Sequence, residues 1–251
     1  MHEEHRDIAP DWYARAFDAL YPILYAHRSV EAARPEAVFA AQELELTGSE
    51  RVLDLCCGNG RHMNHLEAFC ARLTGLDYSM DLLREARGML GHGCALVRAD
   101  MRAIPFDSCF DAIANFFTSF GYFIDAEDNL KVVLGLAGAL KPGGRFFIDY
   151  VNKESAITNL IPESTRHHDL WDIQEQRWFD EARIRLNKRT TVTHDGDTVR
   201  VVEESVRLYS PREFESLLRA GGLRVEALYG DYSGIGLDAA SPRMIAIGRK
   251  E

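Results

Sequence analysis

Short apolar runs separated by amphipathic stretches dominate the chain between residues 51 and 151. Five strands, each buried on both faces, are predicted by the runs RVLDLCC, ARLTGLD, CALVRAD, FDAIANFF and GRFFIDYV. Helical periodicity appears over residues 61–71, 79–90 and 125–140, and Ser79 is placed to cap the second of these helices. Strand and helix therefore alternate, which predicts βαβ units and a mostly parallel sheet.

The pattern changes on both sides of this block. Before it, apolar residues recur at helical spacing over residues 11–27, where Pro22 predicts a break, and another helix is predicted over residues 30–46. After it, polar and apolar residues alternate over residues 171–209, and Asp195-Gly196 marks a hairpin between two such runs. This alternation predicts an antiparallel segment with one polar face.

A helix and two strands are predicted to close the chain. Ser210-Pro211 begins the helix, Gly221-Gly222 ends it, and the runs LRVEALYG and PRMIAIGRK follow. The predicted fold is α/β, with a Rossmann-like, doubly wound, mostly parallel sheet whose last strand is antiparallel. We assign residues 1–50 to an N-terminal helical lid, 51–152 and 208–251 to the core, and 153–207 to a β-rich insertion that covers a substrate or contacts a second subunit.

Composition narrows the classes of partner. The 251 residues carry a formal net charge of −10, which argues against a broad nucleic-acid surface. No run of 18 apolar residues is present, and the acidic N-terminal sequence lacks the apolar segment of a signal peptide, so we expect a cytoplasmic protein that neither spans nor binds a membrane.

Cysteine and histidine usage predicts neither a disulfide framework nor a metal site. The five cysteines are odd in number, Cys56 and Cys57 are adjacent, and no C-x-x-C is present. His167 and His168 are also adjacent, a spacing that seldom places two ligands on one ion. We therefore expect no bound metal.

A glycine-rich turn follows the first predicted strand. Gly58 and Gly60 allow a ligand to approach the backbone, but the phosphate-binding pattern G-x-G-x-x-G fails at Met63 and also at Cys56. Asp54, just ahead of the turn, would repel a pyrophosphate and would favour a cationic ligand. A nucleoside that carries an ammonium and a sulfonium fits this charge.

Polar and aromatic residues follow the other predicted strands. Asp77, about 20 residues after Asp54, stands where an acid accepts hydrogen bonds from ribose hydroxyls, and Tyr78 is suited to lie against adenine. Asp100 and Met101 are placed to pair with the adenine edge through a carboxylate and a backbone N–H. Parallel strands end at one edge of a sheet, so these residues are predicted to share one crevice.

Taken in order, these motifs resemble the class I S-adenosylmethionine-dependent methyltransferases. The resemblance covers residues 51–151 and 207–249 and rests on VLDLCCGNGRH, LTGLDYS, RADMRAIPF, FDAIANFFTSFGYF and LKPGGRFFID. Cys56 stands where that family commonly has glycine or alanine. The C-terminal segment resembles the members that act on small molecules.

The resemblance implies S-adenosylmethionine as cofactor and methyl transfer to a small-molecule N or O acceptor by in-line displacement. It implies that an N-terminal helix covers the cofactor and that a basic residue there binds the methionyl carboxylate. The implied cofactor-binding residues are Asp54, Cys56, Gly58, Gly60, Asp77, Tyr78, Asp100, Met101, Asn115, Phe116, Arg28 and Tyr25.

Three residues are candidates for a general base, should the acceptor need one: His62, Tyr150 and His27. The sequence does not choose among them, nor does it identify the acceptor or decide whether the protein is a homodimer. Three other functions stay open: an RNA or protein methyltransferase, an NAD(P)-dependent oxidoreductase, and a cofactor-binding protein without activity.

Overall fold

The computed structural model describes residues 7–18, 20–26 and 28–251. Its strands are β1 (Arg51–Leu55), β2 (Arg72–Asp77), β3 (Ala95–Arg98), β4 (Phe110–Asn115), β5 (Leu140–Val151), β6 (Glu163–His168), β7 (Trp171–Asp180), β8 (Arg185–His194), β9 (Asp197–Arg207), β10 (Leu223–Tyr229) and β11 (Arg243–Lys250). Its helices are α1 (Tyr13–Ala16), α2 (Tyr21–Leu24), α3 (Val30–Glu43), α4 (Met63–Leu66), α5 (Met80–Leu90), α6 (Ala126–Ala139), α7 (Lys153–Thr158) and α8 (Pro211–Ala220).

A seven-stranded sheet forms the centre of the protein, in the order β10-β11-β5-β4-β1-β2-β3. Strands β1 to β5 pair in parallel, whereas β11 lies antiparallel between β5 and β10. The order reverses between β1 and β4, and such a switch point opens a crevice beyond the carboxyl ends of the strands. The predicted fold class, including the antiparallel last strand, is confirmed.

Helices cover both faces of this sheet. Because neighbouring residues of a strand point to opposite faces, Val52 packs with helices α3 to α5, and Leu53 packs with α6 and α8. Both side chains are fully buried. Burial on two faces explains why these strands appear in the sequence as continuous apolar runs.

A second sheet, four-stranded and antiparallel, spans Glu163–Arg207 in the order β6-β7-β8-β9. One face packs on the N-terminal helices, where Ile173, Val192 and Val202 meet Trp12 and Tyr25. The hairpin predicted at Asp195-Gly196 joins β8 to β9, and both of its residues have positive φ.

A buried arginine joins the two sheets. Arg185 of β8 donates from Nε to Ser205 Oγ at 2.7 Å. Its guanidinium also donates to the carbonyl oxygens of Tyr122 at 2.7 Å and Phe123 at 3.0 Å, in the loop between β4 and α6. The second sheet is thereby fixed to the loop that borders the crevice.

Two of the departures from the sequence-based element boundaries concern prolines. The N-terminal break lies between α1 and α2, and Pro22 stands in the first turn of α2, where a missing N–H costs little. Strand β5 begins at Leu140, before Pro142 and not after it, because Leu140 already pairs with Phe110 of β4. No helix in the described ranges is long and apolar enough to cross a membrane.

Candidate active site

A cavity of about 440 Å³ lies at the carboxyl ends of β1 to β4. The central sheet contributes Cys56, Gly58 and Asp77, while Tyr25 of the N-terminal segment and Glu204 of β9 line the other side. The volume falls in the range of small-molecule sites. The cavity therefore joins the predicted cofactor crevice to a chamber enclosed by the N-terminal helices and the second sheet.

The loop after β1 takes the left-handed backbone that the glycines predict. Cys56, Gly58 and Gly60 have φ of 61°, 55° and 83°. A Cβ on Gly60 would lie 2.9 Å from Leu90 Cδ1, so this glycine allows the loop to pack closely on α5. Gly58 lines the cavity, whereas Gly60 does not and supports the loop from behind.

Asp77 holds two loops together at the cavity wall. Its carboxylate accepts from the backbone N–H of Gly58 and of Ser79, both at 2.8 Å. Burial raises the pKa of Asp77, although these backbone bonds oppose the change. Asp77 thus fixes the floor on which a ribose would lie.

Asp54 lies behind the loop and not in the cavity lining. It is 1% exposed, and its Oδ2 has no hydrogen-bond partner among the described residues. Burial, with repulsion from Asp77, raises the pKa of Asp54 to about 8. This buried carboxyl is suited to receive a cationic ligand or an ordered donor next to one.

Asn115 is likewise buried behind the lining. Its Nδ2 donates to the carbonyl of Leu55 at 2.7 Å, and its Oδ1 is without a partner in the described part of the chain. Its neighbour Phe116 does line the cavity.

The side chains of Tyr78 and Met101 lie at the end of the cavity where adenine is predicted to bind. Tyr78 is 41% exposed and lines the cavity beside Met101, whose Sδ lies 3.6 Å from Cys56 Sγ. Tyr13 of α1 meets the Tyr78 ring edge to face, with ring centroids 6.0 Å apart. Tyr78 and Met101 thus form an apolar slot at this end of the cavity.

Asp100 lines the cavity but is already bound to an arginine that the sequence analysis did not consider. Arg102 Nη2 lies 2.6 Å from Asp100 Oδ2, and the Arg102 backbone N–H donates to Oδ1 at 2.9 Å. Burial raises the pKa of Asp100, but the bonds to Arg102 outweigh burial and the net change is downward. An acid followed two residues later by arginine is the signal that indicates such a pair.

Arg28 and Tyr25 approach the cavity from the N-terminal side, as the resemblance implies. The Arg28 guanidinium lies 3.9 Å from the Tyr25 ring centroid and 4.4 Å from that of Phe117, and Nη1 donates to the Tyr21 hydroxyl at 3.0 Å. Arg28 Nε is buried without a hydrogen-bond partner among the described residues. A carboxylate would complete its hydrogen bonds.

These unsatisfied atoms fit S-adenosylmethionine. Asp54 Oδ2 and Asn115 Oδ1 are acceptors that suit an ammonium, and Arg28 Nε is a donor that suits a carboxylate. An amino-acid moiety carries both groups, and the apolar slot at Tyr78 suits a purine. The residues present therefore offer partners for the charged groups of this cofactor.

The three candidate bases have different surroundings. His62 lines the cavity, lies 4.0 Å from the Phe116 ring in a parallel stack, and places Nε2 2.7 Å from Glu36 Oε2. Burial lowers the pKa of His62 to about 4, which makes it a weak base. His27 lies outside the described residues.

Tyr150 requires a correction. Its ring is fully buried against Phe214, its hydroxyl donates to the Arg207 carbonyl, and it does not line the cavity. Burial raises the pKa of Tyr150 well above its usual value. We withdraw it as a base, because the continuous apolar run around it predicted burial without showing on which face of the sheet its side chain lies.

Glu204 is a charged cavity residue that the sequence-based prediction did not include. Glu204 stands on the inward face of β9 between Val202 and Val206, directly opposite Lys188 of β8. Lys188 Nζ lies 2.5 Å from Glu204 Oε1, and Tyr25 donates to the same oxygen. An acid at an apolar position of an alternating strand is the signal that points to it.

In the described ranges, no group of three or more His, Cys, Asp or Glu side chains is arranged to hold a metal ion. His167 pairs instead with Asp172 at 2.9 Å. All five cysteines are free thiols.

Comparison with known proteins places this geometry among methyltransferases. Residues 52–144 match the family described as a methyltransferase domain. A Streptomyces venezuelae protein, dTDP-3-amino-3,4,6-trideoxy-alpha-D-glucopyranose N,N-dimethyltransferase, is 28% identical over 76% of this chain and 82% of its own.

Two solved structures share the fold over almost the whole chain. An S-adenosylmethionine-dependent methyltransferase of Clostridium acetobutylicum superposes with a TM-score of 0.77 at 20% identity, covering 92% of this chain and 96% of its own. An amino pentose methyltransferase of Micromonospora echinaspora, with S-adenosylmethionine bound, gives 0.69 at 17% identity and covers 98% and 100%.

Proposed function

We propose that this chain, which belongs to the class I S-adenosylmethionine-dependent methyltransferases, methylates the amino group of a small sugar-like molecule. The comparisons above support an S-adenosylmethionine-dependent enzyme with a small-molecule acceptor. The proposal concerns the acceptor's chemical class, the residues that meet it and the part of the protein that encloses it.

The observation that carries the proposal is the continuity of the cavity. It runs from the glycine loop to a chamber bordered by Tyr21, Tyr25, Leu186 and Glu204. The volume of this cavity suits a compact molecule. The Streptomyces relative acts on an amino sugar, as its name states, and aligns with most of this chain.

Cofactor binding would use the residues that line or support the floor of the cavity. Asp77 would accept from ribose hydroxyls, the slot of Tyr78 and Met101 would hold the purine, and Arg28 would pair with the carboxylate. S-adenosylmethionine supplies, when bound, a methyl carbon already activated by a sulfonium. The chain's own contribution is therefore alignment and exclusion of water.

The N-terminal helices and the second sheet would serve as the acceptor's cover. Arg200 of β9 supports this arrangement, since it donates to the Arg15 carbonyl at 2.9 Å and to Asp18 at 2.7 Å. We also place the protein in the cytoplasm, where its five thiols stay reduced.

The full chain should methylate dTDP-3-amino-3,4,6-trideoxy-glucose, with release of S-adenosylhomocysteine, and leave the matching 3-hydroxy sugar unchanged. Mass spectrometry of both products decides this. Methylation of the hydroxy sugar alone, or of bulk tRNA in preference to both sugars, would refute the amine proposal. Calorimetry with S-adenosylhomocysteine, run on the same sample, verifies that the cofactor site is intact.

A further inference from the structure

We propose that Glu204 is the acceptor-binding carboxylate of this cavity and that its Oε2 receives the acceptor's amino group. Its negative charge then makes the site selective for amines over hydroxyl acceptors. This inference rests on the proposed function, because it names the residue that recognises the proposed class of acceptor.

Strand alternation places Glu204 in the chamber. In β9, Val202, Glu204 and Val206 point to one face, and Val202 is buried against the N-terminal helices. Glu203 points to the other face, where it pairs with Arg189 at 2.8 Å. Of the adjacent residues Glu203 and Glu204, Glu204 is therefore the one that faces inward, and it lines the cavity.

The partners of Glu204 leave one of its oxygens for a ligand. Lys188 and Tyr25 both approach Oε1. Because both contacts are made to Oε1, we assign Oε2 to the ligand. A carboxylate oxygen with free lone pairs next to a ligand chamber is an acceptor for an N–H donor.

The charges around Glu204 keep it ionised. Burial acts to raise the pKa of Glu204, but the charge of Lys188 and the hydrogen bonds from Lys188 and Tyr25 outweigh burial and hold the pKa below its usual value. Arg28 contributes in the same direction. Glu204 is thus a fixed negative charge at neutral pH, suited to binding more than to taking up a proton.

Aromatic rings surround the same space. Phe17 and Tyr122 stack with ring centroids 5.9 Å apart, and the Tyr21 and Tyr25 ring centroids are 4.6 Å apart. All four side chains line the cavity. Arg28 and Lys188 already lie over the Tyr25 ring, 3.9 Å and 4.6 Å from its centroid. The other three rings also attract cations, and together with the carboxylate they suit an ammonium group better than a neutral one.

The charge change during methyl transfer explains why a carboxylate is useful here. The bound ammonium first loses a proton to water, and the free amine nitrogen then donates its lone pair to the methyl carbon. The C–S bond electrons stay with sulfur, and the positive charge passes to nitrogen. Glu204 would stabilise that charge as it develops. The product ammonium afterwards loses its proton to water, whereas an oxyanion nucleophile would be repelled by the same carboxylate.

Glu204→Gln tests the role with little change in shape, and Glu203→Gln is its control on the opposite face of β9. With the dTDP amino sugar, we expect Glu204→Gln to lower kcat/KM by about 10- to 100-fold. Affinity for S-adenosylhomocysteine should stay within about twofold. Glu203→Gln should match the wild type in both measurements, and an equal loss in the two variants would overturn the proposal.

A binding experiment separates this inference from the proposed function. Choline and its uncharged isostere 3,3-dimethylbutan-1-ol are titrated into the S-adenosylhomocysteine complex and followed by ligand-observed NMR. We expect choline to bind at least about tenfold more tightly to the wild type, and this preference to disappear in Glu204→Gln.

The outcomes of the two experiments are distinguishable. If the protein does not methylate the amino sugar but prefers choline in a way that depends on Glu204, the amino sugar is refuted as the acceptor. The ammonium site at Glu204 is then still supported. Equal binding of the two isosteres by the wild type refutes the ammonium site even if neither variant folds. Glu204→Asp should retain part of the preference, because it keeps the charge and shortens the reach.

Discussion

At the residue scale, Asp54 shows how a buried group that is suited to ligand binding can lower the stability of the unliganded protein. Its folded-state pKa of about 8 lies above the usual aspartate value because burial and Asp77 oppose ionisation. Between about pH 4 and pH 8, the folded protein holds a proton on Asp54 that the unfolded chain has released. The free energy of unfolding therefore falls as pH rises through this window.

Asp54→Asn should remove the loss of stability that accompanies ionisation of this buried carboxyl. We expect the unliganded variant to gain about 1–3 kcal/mol of stability at pH 8 and to lose about tenfold in affinity for S-adenosylmethionine. Thermal unfolding across pH and calorimetry measure the two effects. Wild-type affinity should rise from pH 6 to pH 8, and the variant's should stay flat.

Asp111 is the matched control for this experiment. Lys141 lies 2.5 Å from it, and although burial opposes the change, the bonds to Lys141 and Arg51 lower its pKa. Asp111→Asn should therefore destabilise the protein at neutral pH, the opposite sign to Asp54→Asn. A gain in stability from both substitutions would contradict the role given to Asp54.

His62 makes stability depend on pH in the opposite direction from Asp54. Because its folded-state pKa is about 4, the unfolded chain binds a proton between about pH 6.5 and pH 4 that the folded protein excludes, and stability falls as pH is lowered through this window. His62→Gln should flatten this acid limb in thermal unfolding. It should also leave the activity profile between pH 6 and pH 8 unchanged.

His167 supplies the comparison for His62, since its side chain is 66% exposed on the second sheet. His167→Gln should leave the acid limb as in the wild type. If His62→Gln instead abolished activity while cofactor affinity persisted, His62 would be the base after all.

At the scale of elements, one buried guanidinium ties the second sheet to the loop that borders the cavity. Arg185 is 4% exposed and bonds both to Ser205 within the sheet and to carbonyls of the loop that borders the cavity. These carbonyls and the guanidinium lose their hydrogen bonds to water on folding, so each group needs the other as its hydrogen-bond partner. The cover and the floor of the cavity are consequently held in one geometry.

Arg185→Met keeps the length of the side chain and removes its donors. We expect a loss of about 3 kcal/mol in the free energy of unfolding, measured in urea, because several buried carbonyls lose their partner. The acceptor KM should rise more than the cofactor Kd, since the loop and sheet border the acceptor chamber.

Arg189→Met on the same strand is the control for Arg185→Met. Arg189 makes a half-buried ion pair with Glu203 away from the cavity, so its loss should cost about 1 kcal/mol or less. Equal losses in the two variants would show that Arg185 has no special role.

At the scale of the whole molecule, the cavity is built from parts that are distant in the chain. The N-terminal segment, the loops after β1 to β4 and strand β9 all line it. A ligand bound there contacts both sheets and so stabilises them together. We therefore expect ligand binding to make the two sheets unfold cooperatively.

Calorimetric scanning should accordingly show a single unfolding transition. S-adenosylhomocysteine at 100 times its Kd should add about 2.7 kcal/mol and raise Tm by about 5–10 °C. Hydrogen exchange should slow in β8 and β9 as well as in β1 and β2. Two separate transitions, with only one shifted by the ligand, would contradict this view of the molecule.

Much of this protein can be read directly from its sequence. Apolar runs predicted the buried strands of the central sheet, because a strand covered on both faces needs apolar residues at every position. Gly58, Asp77 and Tyr78 were found for a related reason: parallel strands end at one edge, so residues that follow them meet wherever the sheet is formed. Local pattern suffices for features that the sheet's geometry alone brings together.

The rest depended on tertiary contacts. Tyr150 lies in an apolar run like the other strand residues, and only the packing of α8 shows that its ring is enclosed away from the cavity. Asp100 faces Arg102, and Glu204 enters the chamber because β9 folds back over the N-terminal helices. The sequence determined the fold class and the glycine-rich loop through local periodicity and spacing. Tertiary structure decided which charges meet, because electrostatic partners depend on distances in space that no spacing along the chain records.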